Sequence, residues 1–236
     1  MLVLPSIASA AVTCTFTSGT GALAVSITGA TDNGAGLRLI NGTGEIGVYD
    51  SGAFSTQQMC AGGTPTTANT NSIAVTDDEP GTTNRTVLGL SLANGPFVNS
   101  DASGEGTGTK EIEITYDGGE EATDDLVLTG VPGPAGDNWR MGQIDATHAG
   151  YQLDDSEPAA SSDVDDLVTT NVEQLQTGLN GNPGDDILDA RGGTGFAGPL
   201  EAPSGVAQLI GDTGDDQLFA GNGNGWRLEG DTGSDT

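Results

Sequence analysis

The sequence predicts an all-β fold in which short strands stack as the coils of a parallel β-helix or β-roll solenoid. Helical periodicity is nearly absent, since apolar residues rarely recur at i, i+3, i+4 and i+7 and the 39 glycines interrupt most windows. Short alternating apolar runs recur at intervals of roughly 10 to 15 residues. From residue 110 onward, strand and acidic turn alternate as a repeated unit, which favours stacked coils over a sandwich.

The individual strands are predicted from alternation of apolar and polar residues, in which every second side chain faces the core. They lie at residues 23–27, 37–40, 46–49, 73–75, 87–92, 112–116, 126–128, 139–141, 151–153 and 164–168. Turn residues separate them, including the Asn-Gly pairs that begin at Asn33, Asn41, Asn94, Asn180 and Asn222. The N-terminal half is the less regular part of this pattern.

The charge of the chain excludes two classes of partner. Acidic residues number 34 against six Lys and Arg, which gives a formal net charge of -28. Nucleic acid and anionic membrane surfaces are bound by clustered Lys and Arg, and six scattered cations form no such cluster. No apolar stretch is long enough to span a membrane. Carboxylates in this excess repel one another in a closed fold unless multivalent cations are present.

The N-terminal quarter points to a secreted protein. Residues 1–11 end in an Ala-x-Ala pattern of the kind that signal peptidase cleaves, and we interpret them as the remnant of a secretory signal peptide. Cys14 and Cys60 are the two cysteines. In a secreted chain they are expected to pair, and two buried free thiols are the alternative.

The motif that carries chemistry lies in the last third of the chain. Residues 181–189 read GNPGDDILD, residues 211–219 read GDTGDDQLF, and a third copy begins at residue 230 as GDTGSD. All three fit the nonapeptide G-G-x-G-x-D-x-U-x, where U is a large apolar residue, here Leu188 and Leu218. Ca²⁺ takes six to eight oxygen ligands, and one such loop offers about half of them. A site is therefore complete only when a second loop stacks on the first.

Spacing indicates which loops stack, because a coil of two nonapeptides uses about 18 residues. The third copy starts 19 residues after the second, which puts Asp216 and Asp235 on one edge as ligands of one ion. The second copy starts 30 residues after the first, and we interpret residues 192–203 as a surplus loop that bulges outward. If it does, Asp186 and Asp216 flank a second ion; otherwise Asp186 is a half-site. The turn at 221–226 lacks the sixth-position Asp, so we expect no strong site on the opposite edge.

These three copies resemble the haemolysin-type calcium-binding repeat (RTX) family of secreted bacterial proteins. The resemblance implies a right-handed parallel β-roll that folds outside the cell around Ca²⁺. It implies that Asp186, Asp216 and Asp235 bind the ion through their carboxylates. It also implies backbone oxygen ligands at Gly181, Asn182, Pro183 and Gly184, at Gly211, Asp212, Thr213 and Gly214, and at Gly230, Asp231, Thr232 and Gly233.

This resemblance completes the predicted domain organisation. The signal-peptide remnant at 1–11 is followed by an N-terminal β region at 12–109, irregular β-helix coils at 110–177 and RTX-type repeats at 178–236, the last of them cut short. The function we expect is that of a non-catalytic extracellular Ca²⁺-binding protein with a structural or adhesive role and a partner at the cell surface or in the extracellular matrix. The alternatives are the calcium-binding part of a larger secreted enzyme or toxin, and a β-helix polysaccharide lyase or hydrolase.

Overall fold

The computed structural model describes residues 11–28, 33–78, 85–99, 112–120, 123–134, 136–153, 166–202 and 207–236. Within these ranges the chain is all-β, and it has no helix that is long and apolar enough to cross a membrane. Residues 1–10 of the predicted signal-peptide remnant, the boundary at 109/110 and part of the predicted strand 164–168 lie outside the described residues. Ala11 is already the first residue of a strand.

Eighteen strands are assigned in the described ranges. They are β1 (Ala11–Thr17), β2 (Ala22–Thr28), β3 (Asn33–Leu39), β4 (Ile46–Tyr49), β5 (Gln57–Gln58), β6 (Ser72–Asp77), β7 (Thr86–Ser91), β8 (Glu113–Asp117), β9 (Asp125–Thr129), β10 (Asn138–Gln143), β11 (His148–Gln152), β12 (Leu167–Thr170), β13 (Leu175–Asn180), β14 (Ile187–Asp189), β15 (Gly198–Pro199), β16 (Ala207–Ile210), β17 (Gln217–Phe219) and β18 (Trp226–Glu229).

The strands form two mixed sheets. The first has ten strands in the order β1-β2-β6-β8-β12-β11-β10-β14-β17, with β15 also paired to β10. The second has eight, in the order β18-β16-β13-β9-β7-β3-β4-β5. From β6 to β9 and again from β12 to β18, apart from the two-residue β15, the chain alternates between the sheets. Each return to a sheet pairs in parallel with an earlier strand of that sheet.

Antiparallel pairs interrupt this parallel pattern at four places. β1 pairs antiparallel with β2, β4 with both β3 and β5, β11 with both β10 and β12, and β15 with β10. Alternation of apolar residues identifies a strand but not the direction of its neighbour, so these hairpins were not predicted. The predicted turn at Asn33-Gly34 was also wrong, because both residues lie in β3. A Cβ on Gly34 would come within 2.4 Å of the Val87 carbonyl, so this glycine serves close packing rather than a turn.

The core consists of columns of apolar side chains that run across the strands. In the second sheet Leu37, Leu90, Leu128, Leu179 and Leu209 follow one another through the strand register. All five are at most 1% exposed, and inward residues of both sheets belong to one hydrophobic cluster. In the first sheet Trp139 pairs with Leu188 and Leu188 with Leu218, so the apolar residue of each Gly-Asp repeat lies in one such column.

The predicted pairing of Cys14 with Cys60 is confirmed. The two residues form a disulfide, 46 positions apart in sequence. Main-chain hydrogen bonds from Phe16 N to Ala61 O (2.7 Å) and from Ala61 N to Cys14 O (2.9 Å) hold the same segment against β1. The disulfide therefore fastens an irregular loop to the strand at the outer edge of the first sheet.

We expect the double replacement Cys14→Ser with Cys60→Ser to lower the free energy of unfolding by up to about 4 kcal/mol, because the unfolded chain regains the freedom of a loop of this length. Urea unfolding measures the effect. Met59 is adjacent and 97% exposed, so Met59→Ser is the matched control and should leave stability unchanged. A double variant as stable as the wild type would contradict the expectation.

Candidate cation site

The three Gly-Asp repeats form loops on one edge of the molecule, where the chain passes from the second sheet to the first. We number the loops in chain order. Loop 2 (residues 181–186) joins β13 to β14, loop 3 (211–216) joins β16 to β17, and loop 4 (230–235) follows β18. A fourth loop, loop 1 (130–137), joins β9 to β10 on the same edge.

The four loops stack through a repeated main-chain hydrogen bond. The N–H at the fourth position of each loop donates to the carbonyl at the third position of the next. The donor and acceptor atoms are Gly133 N and Pro183 O (3.1 Å), Gly184 N and Thr213 O (2.8 Å), and Gly214 N and Thr232 O (3.0 Å). Loop 1 therefore occupies the same structural position as the three repeats, although its sequence is different.

The aspartates of the loops form a continuous ladder, which we call the aspartate ladder: Asp137, Asp186, Asp216 and Asp235. The carboxylates of Asp186, Asp216 and Asp235 each accept the main-chain N–H of the ladder aspartate in the preceding loop. The distances are 2.6 Å from Asp137 N to Asp186 Oδ1, 2.9 Å from Asp186 N to Asp216 Oδ1, and 3.1 Å from Asp216 N to Asp235 Oδ1. Three of the four side chains are buried, with exposed fractions of 2% for Asp137 and 0% for Asp186 and Asp216.

The glycine at the first position of each loop leaves room for the second oxygen of the carboxylate. A Cβ built on Gly181, Gly211 or Gly230 would lie 2.2, 2.0 or 2.3 Å from Oδ2 of the aspartate of the same loop. Gly130 has the same relation to Asp137, at 1.9 Å. These distances are well below van der Waals contact, so any larger residue at the first position would displace the carboxylate.

The second position of loops 2, 3 and 4 has a left-handed backbone. Asn182, Asp212 and Asp231 have φ angles of 67°, 75° and 58°. Among residues with a side chain, Asn and Asp adopt this conformation at least cost. The loop geometry thus explains why the repeats carry Asn or Asp where the general nonapeptide pattern carries glycine.

Asp216 has a carboxylate that is only partly satisfied. Its Oδ2 is buried and makes no hydrogen bond within the described residues. Burial raises the pKa of the Asp216 carboxyl above its ordinary value; the N–H of Asp186 opposes the shift, and the charges of Asp235, Asp185 and Asp212 add to it. An ionised carboxylate in this position lacks the partner that burial normally requires.

The opposite edge also carries buried acids, and one of them lies beside a basic side chain. There Asp124 and Asp125 are both 0% exposed; Asp125 pairs with Arg85, and Asp124 Oδ1 accepts the N–H of Thr86 (3.0 Å). Other ion pairs of the described residues are His148–Asp145, Arg191–Asp189 and Arg227–Glu229. Asp216 and Asp235 belong to none of these pairs.

The structure brings Asp186, Asp216 and Asp235 onto consecutive levels of one edge. The segment 192–202 is extra chain between loops 2 and 3, as expected, and residues 193–195 are exposed. Its second part packs back on the sheet, where β15 pairs with β10 and Leu200 is only 3% exposed. Sequence reasoning missed Asp137, since loop 1 has two more residues between its first glycine and its aspartate. The detectable signal was the pair Gly130 and Gly133, which has the same spacing as the first two glycines of each repeat.

The atoms on this edge that could bind a metal ion are oxygen atoms of single carboxylates and of the main chain. Among the described residues no three His, Cys, Asp or Glu side chains are grouped so that they could hold a metal ion. A cation at the ladder would therefore need main-chain carbonyl oxygens in addition to carboxylates. Hard oxygen donors of this kind are those that Ca²⁺ prefers.

Comparison of the chain with protein-family models, with curated proteins and with solved structures gives no match. The likeness to calcium-binding repeats thus depends on the three loops alone.

Replacing Gly211 by Ala should destabilise the fold by about 2 kcal/mol or more, because the new methyl group and the buried Asp216 carboxylate cannot both be accommodated. Gly133→Ala is the matched control, since a Cβ there meets no atom within 4 Å. Thermal or urea unfolding distinguishes the two variants. Equal losses in both would show that the contact between Gly211 and Asp216 does not limit stability.

The raised pKa of Asp216 predicts a pH dependence in calcium-free buffer. The folded state holds its proton more tightly than the unfolded state, so this contribution to stability is present below the ordinary pKa of 3.8 and is lost as pH rises through the higher folded value. The Asp216→Asn variant has no titratable group at this position. We expect the stability of this variant relative to the wild type to increase between pH 4 and pH 7, measured by urea unfolding. A difference that is constant with pH would contradict the assignment.

Proposed function

We propose that the chain is a non-catalytic, extracellular calcium-binding protein in which the two sheets form a parallel β-helix solenoid and Ca²⁺ joins loops 2, 3 and 4 on its aspartate edge. The observation that carries the proposal is the buried Oδ2 of Asp216, which has no hydrogen-bond partner in the part of the chain that the structure describes. A divalent cation would supply the missing partner. It would also offset the repulsion between carboxylates on neighbouring levels.

The donor set of the loops supports this choice of ion. Asp186, Asp216 and Asp235 would contribute carboxylate oxygens, and the first four residues of loops 2, 3 and 4 would contribute main-chain carbonyls. None of these donors is a nitrogen or sulfur atom, so the set suits a hard cation rather than Zn²⁺ or Cu²⁺. The net charge of -28 would raise the local concentration of any divalent cation around the molecule.

A structural role is supported by the burial of the ladder. Asp186 and Asp216 are each 0% exposed and face neighbouring loops, so a substrate has no access to their carboxylates. The position of the ladder between successive turns suits a cation that joins main-chain segments. An extracellular location is supported by the disulfide between Cys14 and Cys60, because such bonds persist in oxidising compartments, where calcium is also abundant.

We expect Ca²⁺ to stabilise the wild-type chain and to order the loop region, because ions that bind only the folded state add to its stability. A free concentration one hundred times the dissociation constant adds about 2.7 kcal/mol for each site. Circular dichroism during a Ca²⁺ titration and thermal unfolding with and without chelator measure both effects. Mg²⁺ should be less effective, since it requires a tighter octahedral shell.

Asp216→Asn should remove most of this calcium response. Asp145→Asn is the matched control, because it removes the same charge from an exposed turn in which Asp145 bonds only to Thr147 and His148. A wild-type spectrum and melting temperature that are the same in chelator and in millimolar calcium would refute the proposal. So would an equal loss of response in the two variants.

A further inference from the structure

The contacts between neighbouring loops differ along the ladder, and the difference lies at the second position of the loop. Between loops 1 and 2 the side-chain Nδ2 of Asn182 donates to the carbonyl oxygen of Gly130 at 2.6 Å. In loop 1 itself, the N–H of Val131 donates to Asp137 Oδ2 at 3.0 Å. A neutral side-chain amide therefore supplies a hydrogen-bond donor between loops 1 and 2, and a main-chain N–H supplies one to the carboxylate within loop 1.

The next contact lacks these donors. Loop 3 carries Asp212 at the position of Asn182, with nearly the same backbone angle. A carboxylate has no proton to donate to the Gly181 carbonyl, the counterpart of the Gly130 carbonyl one level earlier. The same substitution recurs in loop 4, where Asp231 lies opposite loop 3. In loop 3, between these two contacts, the buried Oδ2 of Asp216 makes no hydrogen bond with the described residues.

We infer that the residue at the second position selects how two neighbouring loops are joined. Asn182 joins loops 1 and 2 by a hydrogen bond without a cation, whereas Asp212 and Asp231 each provide a carboxylate ligand to a divalent cation that joins their loop to the one before. Loops 1 and 2 then form a cation-independent template on which loops 3 and 4 assemble when calcium binds. This inference rests on the proposed function and assigns side-chain ligands that the sixth-position aspartates alone do not provide.

A reciprocal exchange of these residues tests the inference. Asn182→Asp replaces the amide donor by a carboxylate, and Asp212→Asn does the reverse; both residue types accept the left-handed backbone. Calcium stoichiometry from isothermal titration, and urea unfolding in calcium-free buffer, are measured for each variant. Asn182→Ala is the third variant, because it removes the donor without adding a ligand.

The expected results are opposite in sign. Asn182→Asp should bind one more calcium equivalent than the wild type and unfold at lower urea without calcium. Asp212→Asn should bind one fewer and unfold at higher urea without calcium. Asn182→Ala should also unfold at lower urea, with the stoichiometry unchanged.

The failure of this inference can be told apart from failure of the proposed function. If the wild-type chain binds no calcium, the proposed function fails and the cation part of the inference fails with it. If the wild type binds calcium but the reciprocal variants keep its stoichiometry and its calcium-free stability, the inference alone is overturned.

Discussion

The stacking of loops on the aspartate edge depends on one contact. It is the hydrogen bond from the main-chain N–H of a ladder aspartate to the aspartate carboxylate of the following loop. This bond ties successive levels at Asp186, Asp216 and Asp235. The second oxygen of the same carboxylate lies so close to the first glycine of its own loop that a Cβ would not fit there. The same contact therefore fixes the glycine, the aspartate and the distance between them, and it places the following apolar residue in the inward column of the first sheet.

The contact also has an electrostatic cost. It stacks one carboxylate on each level, about one strand spacing apart, in a chain that has six basic side chains. On the opposite edge Arg85 offsets the charge of the buried Asp125. On the aspartate edge the oxygen of Asp216 has no such partner. A bound calcium ion could offset the charge of the Asp216 carboxylate, and it requires surroundings that are rich in calcium. The proposed extracellular location meets this requirement.

The sequence was most informative where one residue determines one contact. Leu188 and Leu218 lie side by side in the core as the repeat predicts, and the strands around residues 23–27, 46–49 and 87–92 lie close to their predicted places. Prediction failed where contacts depend on partners distant in sequence. Loop 1 joins the ladder despite its Pro-rich insertion because its main chain continues the stacking, and Val131 at its second position hides the match to the repeat.

The antiparallel hairpins could not be predicted for a related reason. The alternation of apolar residues that predicts a strand, such as Trp139 and Met141 in β10, is the same for a parallel and an antiparallel neighbour. Only the turn between β10 and β11 sets the direction. Likewise, residues 192–202 look like a surplus loop in the sequence. The burial of Leu200 and the pairing of β15 with β10 are tertiary contacts, and they leave no local signal in the sequence. In each case local patterns identify an element but not the surface on which it packs.

The most direct test of the central claim is a crystal structure of the chain grown with calcium, using anomalous scattering to locate the ions. The account predicts anomalous peaks between loops 2 and 3 and between loops 3 and 4, each within coordination distance of a ladder carboxylate. Ordered loops without peaks at these positions, in crystals soaked with millimolar calcium, would contradict it.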